Sequence, residues 1–257
     1  MKRIIAALAV LTFLAGPALA QGPQVTNVRA SFGPQGATRK DKKVMVRDSL
    51  WVNFDVEDLS PDKKSGKLSF QTLIEVVDSA NAVKFSQKGG GDFIPALGGT
   101  TAPSDFHFVF GDKFPVGKYT VRVTAMDKIG GGKNTVLYPL EIVPSDYGIY
   151  GVIAPGTGFR AQDYIFSFGV GQFALDAKKA GNIDVNLRIL DKNDKPVGPA
   201  IQLTPGQMDD KLAQFVHAMP LNRTGQFTIE VTAIDRNAKN REAKLTFGLN
   251  VIDPGAK

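Results

Sequence analysis

Cysteine is absent from the 257 residues. Its absence excludes disulfides, thiolate metal sites, a cysteine nucleophile and a lipidated N-terminal cysteine. Histidine is nearly absent too: His107 and His217 are the only imidazoles, so histidine-rich metal centres are excluded. There is a single tryptophan, Trp51. Beyond the first twenty residues, no apolar run approaches the roughly 18 residues that a membrane-spanning helix needs. What remains is ordinary for a globular chain, with 43% apolar and 22% charged residues, which argues against wholesale disorder.

The start of the chain reads as an export signal. Met1-Lys2-Arg3 is basic, Ile4 to Gly16 is an apolar run of 13 residues, and Pro17-Ala18-Leu19-Ala20 ends in a small-x-small pattern. We expect a signal peptide over 1–20, cleaved after Ala20, with export to the periplasm or beyond the cell of a bacterium. Losing Lys2 and Arg3 lowers the formal charge from +6 to +4, too mild a balance to select a partner class. The mature protein is expected to be soluble, with no transmembrane segment.

The mature chain repeats itself. Gly117-Lys-Tyr-Thr-Val-Arg-Val-Thr-Ala-Met-Asp-Lys128 matches Gly225-Gln-Phe-Thr-Ile-Glu-Val-Thr-Ala-Ile-Asp-Arg236, an offset of 108. Both alternate with period two, the mark of a half-buried antiparallel strand. Three further strands can be laid alongside. Leu50, Val52, Phe54 and Val56 match Tyr164, Phe166, Phe168 and Val170. Phe70 to Val76 matches Ile183 to Ile189, and Val136 to Ile142 matches Leu245 to Val251. The offsets drift only between strands, where loops absorb insertions.

Turn chemistry agrees. Asp78-Ser-Ala-Asn81 and Asp191-Lys-Asn-Asp194 read as hairpin connections at matching places. Gly89-Gly-Gly91 and Gly130-Gly-Gly132 read as loop punctuation. Helix signals are confined to Thr204-Pro205 as a cap, with a turn or two over 209–214. The expectation is an all-β chain of two units, 21–145 and 146–257, each an antiparallel β-sandwich of about seven strands.

This pattern resembles the immunoglobulin-like sandwich. Pro115-Val-Gly-Lys-Tyr-Thr-Val121 looks like the corner leading into the sixth strand of that fold, where a tyrosine hydroxyl bonds back to the chain. Tyr119 matches that tyrosine; Phe227 in the copy lacks the hydroxyl, which leaves the second corner to packing. Where antibody domains carry cysteine the chain has Val121 and Ile229. The likeness is therefore to disulfide-free domains, as in uncharacterised exported bacterial proteins with two such units. Val46-Arg-Asp-Ser-Leu-Trp51 also echoes a phrase from periplasmic chaperones of pilus assembly, though there it comes late in the first domain and here it opens the second strand. Fold likeness does not carry function.

Chemical motifs are scarce. There is no Gly-x-Ser-x-Gly elbow and no glycine-rich phosphate loop. Ser60-Pro-Asp-Lys63 reads as a solvated turn. His107 and His217 occupy matching regions of the two copies and read as ordinary strand histidines. Asp191-Lys-Asn-Asp-Lys195 lacks the glycine and distal glutamate of an EF-hand loop, although calcium at the junction of the units remains open. Asp127 and Asp235 recur at a strand end and read as turn caps. The acid clusters Asp55, Glu57, Asp58 and Asp209, Asp210 show no sign of a paired catalytic site. The basic run Arg39 to Lys43, with Arg47, reads as a solvated loop.

Trp51 is the candidate contact residue. Alternation turns Leu50, Val52, Phe54 and Val56 inward and leaves Trp51 on the opposite face, as it does Ile165 in the copy. An apolar residue on the outer face of both copies suggests contact with another domain, a partner or a sugar ring. Tyr147 and Tyr150 are expected to wedge the units together. The resulting expectation is a non-catalytic binding or structural module of the cell envelope, with no cofactor, no metal and no nucleic acid. Its partner would be an envelope protein or a polysaccharide. A carbohydrate-recognition module using Trp51, Phe93 or Phe159 is the alternative, and a pilus-type chaperone a more distant one.

Overall fold

The alternating runs form strands. A computed structural model describes residues 22–111 and 114–255; the expected signal peptide and its cleavage site lie outside the described residues. The first half consists of β1 (Gln24–Phe32), β2 (Ala37–Thr38), β3 (Lys43–Met45), β4 (Ser49–Glu57), β5 (Leu68–Asp78), β6 (Val83–Phe93), β7 (Ala102–Val109), β8 (Gly117–Asp127) and β9 (Lys133–Val143). The second consists of β10 (Gly148–Ile153), β11 (Thr157–Phe159), β12 (Asp163–Gly171), β13 (Ile183–Asp191), β14 (Ile201–Leu203), β15 (Gln207–Met208), β16 (Leu212–Pro220), β17 (Gly225–Asp235) and β18 (Arg241–Ile252).

The sheets come in matching pairs. The first half pairs a sheet of order β2-β1-β4-β7 with one of order β3-β9-β8-β5-β6. The second pairs β10-β12-β16-β15 with β11-β18-β17-β13-β14. Each half is thus a four-on-five sandwich, and its opening strand changes sheets. β1 is antiparallel to β4, whereas β3 is parallel to β9; β10 and β11 repeat the device against β12 and β18. Among the described residues, nine strands per half replace the expected seven. The surplus lies in pieces of two or three residues, β2, β3, β11 and β15, too short to show any period.

The inward residues are those the alternation assigns. Leu50, Val52, Phe54 and Val56 are buried against Ile74, Val76, Val121 and Val123 in the first core. Tyr164, Phe166, Phe168 and Val170 are buried with Leu187, Val231 and Phe247 in the second. Each such side chain contributes about 2 kcal/mol by leaving water, and this is the source of stability in a chain without disulfides.

Two local expectations need correction. Gly89 to Gly91 lie inside β6 rather than in a loop, paired with Thr72, Gln71 and Phe70 of β5. A Cβ on Gly90, whose φ is +98°, would strike the Phe70 carbonyl and the Gln71 Cα, so the run lets β6 lie close against β5. Residues 209–214 form no helix: β15 ends at Met208 and β16 begins at Leu212. Between them Asp209 Oδ1 accepts hydrogen bonds from the Lys211 and Leu212 amides, both at 2.7 Å.

The halves are joined by more than the chain between them. Ala154 N donates to Phe32 O and Ala37 N donates to Ala154 O, each at 2.8 Å. Phe32 and Ala37, from the first half, sit in the second hydrophobic core.

Candidate functional site

Trp51 lies on the outer face of β4, in register with Ser31 of β1 and His107 of β7. Its indole stacks on the His107 ring, centroids 4.3 Å apart and planes inclined by 17°. Two residues along β4, on the same face, Asn53 is fully buried because the turn after β1 folds over it: Asn53 Oδ1 accepts from Gln35 N at 3.0 Å, and its Nδ2 donates to Ser31 Oγ. That turn covers Asn53 and leaves Trp51 half-buried.

The indole lines a groove of about 630 Å³ between the two halves. The first half supplies Trp51, His107, Arg47 and Val109; the second supplies Tyr150, Ile153, Gln214 and Val216, with Lys211 nearby on the lining. Val109, Ile153 and Val216 are exposed at 51%, 49% and 72%, a large apolar share for solvent-facing strand positions. Arg47 and Lys211 are the charged members, and no carboxylate is among the described lining residues. The groove therefore combines apolar and aromatic side chains with two basic residues on its lining. Ile165, the counterpart of Trp51, is exposed at 56% on β12.

The Asp48 carboxylate is close to Arg47 in sequence but engaged elsewhere. It is buried, accepts from Arg39 Nη1 at 2.9 Å, and its Oδ1 accepts from Ser49 N and, across the halves, Gly151 N at 2.9 Å. Arg39 is correspondingly not a solvated loop residue. Its side chain is 10% exposed and also bonds Asp41 and the Lys43 carbonyl. Burial opposes its charge, yet Asp48 and Asp41 outweigh that and hold the guanidinium above its ordinary range. Lys40, Lys42 and Lys43 do face solvent.

The two histidines are not equivalent. His107 pairs with Trp51, whereas His217 pairs with Phe166, one position out of step, so His217 turns inward. Its ring meets the Phe166 edge at 5.7 Å, its Nε2 is buried without a partner among the described residues, and burial lowers its pKa.

Tyr150 lines the groove, its hydroxyl donating to Asp146 O. Tyr147 is buried beneath Arg241 in the second core, the cluster that also takes in Phe32 and Ala37 of the first half. Phe93 ends β6 and packs edge-on against Phe70 at 6.2 Å; Phe159 on β11 is exposed at 41%. Neither is in the Trp51 groove.

Asp127 and Asp235 cap loops in both halves. Asp127 accepts from the Ser60, Ile129 and Gly130 amides, and Asp235 from those of Ala174 and Asn237. Although burial disfavours its charge, these bonds hold the Asp127 carboxyl below its usual range. Asp191 Oδ1 accepts from Asn193 N and Lys195 N within its own hairpin, while Asp55 bonds Asn27. Among the described residues, no three His, Asp or Glu side chains converge to hold a metal ion, and no helix is long and apolar enough to cross a membrane.

The sequence singled out Trp51 but missed His107 as its partner and the wall from the second half. No sequence signal pointed to the stack, which follows from the pairing register of β4 against β7. The Arg39–Asp48 pair carried no signal, because burial of one turn's charges depends on what packs over it.

No family model and no curated protein matches the chain. Several solved structures are similar to it at low scores. The C-terminal domain of the AgI/II polypeptide BspA from Streptococcus agalactiae is 8% identical, with a TM-score of 0.33, over 88% of this chain and 100% of that one. Red sea bream transglutaminase is 10% identical, with a TM-score of 0.29, over 90% of this chain. The superoxide reductase (neelaredoxin) of Ignicoccus hospitalis is 12% identical, with a TM-score of 0.31, over 41% of this chain and 81% of that one. The chain spans 31% of the transglutaminase. At these scores the likenesses carry no argument about activity or ligand.

Proposed function

We propose that this protein is a non-catalytic binding module of the bacterial cell envelope. In this reading it is exported by the leader 1–20, is built of immunoglobulin-like units over 21–145 and 146–257, and uses the groove at Trp51 as its contact surface. The observation that carries the reading is the Trp51–His107 stack in a groove made by both halves. An aromatic anchor among exposed aliphatic residues, with basic residues on the same lining, is the make-up of a recognition surface. Trp51 also supplies a readout, since it is the sole tryptophan.

The test is a pull-down of envelope proteins and of wall polysaccharide, each offered separately to the purified protein, with Trp51→Ala in parallel. Retention lost in Trp51→Ala, with a change in Trp51 emission on binding, is expected. Retention indifferent to Trp51→Ala would move the contact surface elsewhere.

Carbohydrate recognition is the second reading. Favouring it, Ser49, Ser145, Ser167, Gln172 and Gln214 line the same groove as the indole, giving the hydroxyls and amides that a stacked sugar uses. Glycan binding that resists salt and disappears in Trp51→Ala is its expected signature.

A further inference from the structure

A second groove, of about 520 Å³, lies where the β2 strap of the first half crosses the five-stranded sheet of the second. Its charged lining residues are Arg29, Lys40 and Lys192, with no carboxylate among the described ones. The acids adjacent to lining residues along the chain or strand are engaged elsewhere. Glu230, the next outward residue on β17 beyond Thr228, is bound by Arg188 and Lys244. Asp191, beside Lys192, accepts amides of its own hairpin, and Asp41, beside Lys40, pairs with Arg39. Arg29 donates to Gln35 Oε1 at 3.2 Å and to the Asn27 carbonyl, both neutral acceptors, so among the described residues no carboxylate lines the groove to offset its positive charge.

The glycines on its walls differ in an informative way. A Cβ on Gly36 would strike the Phe32 carbonyl, and one on Gly156 would crowd the Ala37 backbone; both are needed for the strap to approach. Gly248 has no such need. It occupies an outward position in the middle of β18, paired with Thr228, and a Cβ there meets nothing within 4 Å. Glycine weakens a strand interior, so its presence where any side chain would fit keeps the groove floor clear. Around it, Gln226, Thr228 and Asn250 present amides and a hydroxyl.

We propose that this groove is a binding site for an acidic polysaccharide, a sugar chain bearing carboxylates, separate from the Trp51 groove. Lys40, Lys192 and Arg29 would meet the carboxylates, and the amide and hydroxyl groups the sugar hydroxyls. The trough is open rather than enclosed, which suits a chain passing through it. Phe227, its aromatic member, has Arg223 stacked over the ring at 5.1 Å, so a base-stacking platform, as single-stranded nucleic acid uses, is missing.

The test is titration calorimetry of the purified protein with oligogalacturonate, a neutral malto-oligosaccharide and inorganic phosphate, at low and at physiological ionic strength. Oligogalacturonate is expected to bind and to weaken as salt rises. The pair Lys40→Gln and Lys192→Gln should weaken it by about tenfold, as loss of two ligand-facing charges does. Gly248→Leu should abolish binding without lowering the melting temperature, because the added side chain enters empty space, and Trp51→Ala should leave it intact. Binding unaffected by Gly248→Leu, equal binding of the neutral glycan, or binding of phosphate alone would each overturn the proposal. Loss in Trp51→Ala would also overturn it, by assigning the polysaccharide to the other groove.

Discussion

Single side chains show how far burial and hydrogen bonding diverge in this protein. His217 faces the core with a buried nitrogen that has no partner among the described residues, and burial disfavours its charged form. Because its pKa is depressed on folding, the unfolded chain takes up the proton first, and stability falls as pH drops below about 6.5. His217→Phe, which removes both the orphan nitrogen and the titration, should stabilise the protein by about 1 kcal/mol near neutrality. It should also flatten the dependence of Tm on pH between about 7 and 5; an unchanged slope would show that the inward imidazole is not what titrates. The buried tyrosines offer a second contrast. Tyr164 donates to Pro155 O at 2.7 Å, whereas the Tyr147 hydroxyl is buried without a partner among the described residues. Tyr164→Phe should therefore cost about 1 kcal/mol in urea unfolding, and Tyr147→Phe should be neutral or stabilising.

At the scale of the element, legibility followed length. The long strands β4, β5, β8 and β9 and their copies were readable because nine to twelve residues display several cycles of a two-residue period. The sixth-strand corner was readable as well: Tyr119 donates to Pro115 O at 2.8 Å. In the copy, Arg223 stacks over Phe227 at 5.1 Å, so a cation takes the place of the missing hydroxyl and packing is not alone there. The glycine run in β6 was misread, since glycine is both a loop former and the residue that lets a strand approach its neighbour. Gly90→Val should destabilise the protein by about 2 kcal/mol and expose β5 amides to hydrogen exchange, because the new Cβ would displace the Phe70 carbonyl. Protection unchanged along β5 would argue that β6 contributes little to the sheet.

For the whole molecule, the halves resemble each other but are not independent. Phe32 leaves its own sandwich and packs on Phe247 at 6.0 Å between ring centroids, closing the second core from outside. Phe32→Ala should cost about 3 kcal/mol. The loss should appear as faster amide exchange in β17 and β18, with β5 and β8 little changed. Exchange accelerating equally in both halves would instead indicate a single cooperative unit. The same seam creates both grooves, which places the candidate contacts where the two sandwiches meet.

The long strands, their inward faces, the repeat and the double-sandwich plan were legible in the sequence itself, whereas the strands of two or three residues and the glycine stretch of β6 were not. Period-two alternation is a local property, and any strand that buries one face must obey it. The tertiary structure alone decided which residues share a site. His107 stands 56 positions from Trp51 and reaches it only through the register of β4 against β7. Arg29 and Lys192 line one groove although they come from different halves. Register and the docking of one sheet on another depend on distant side chains packing together, and no local pattern in the chain records them.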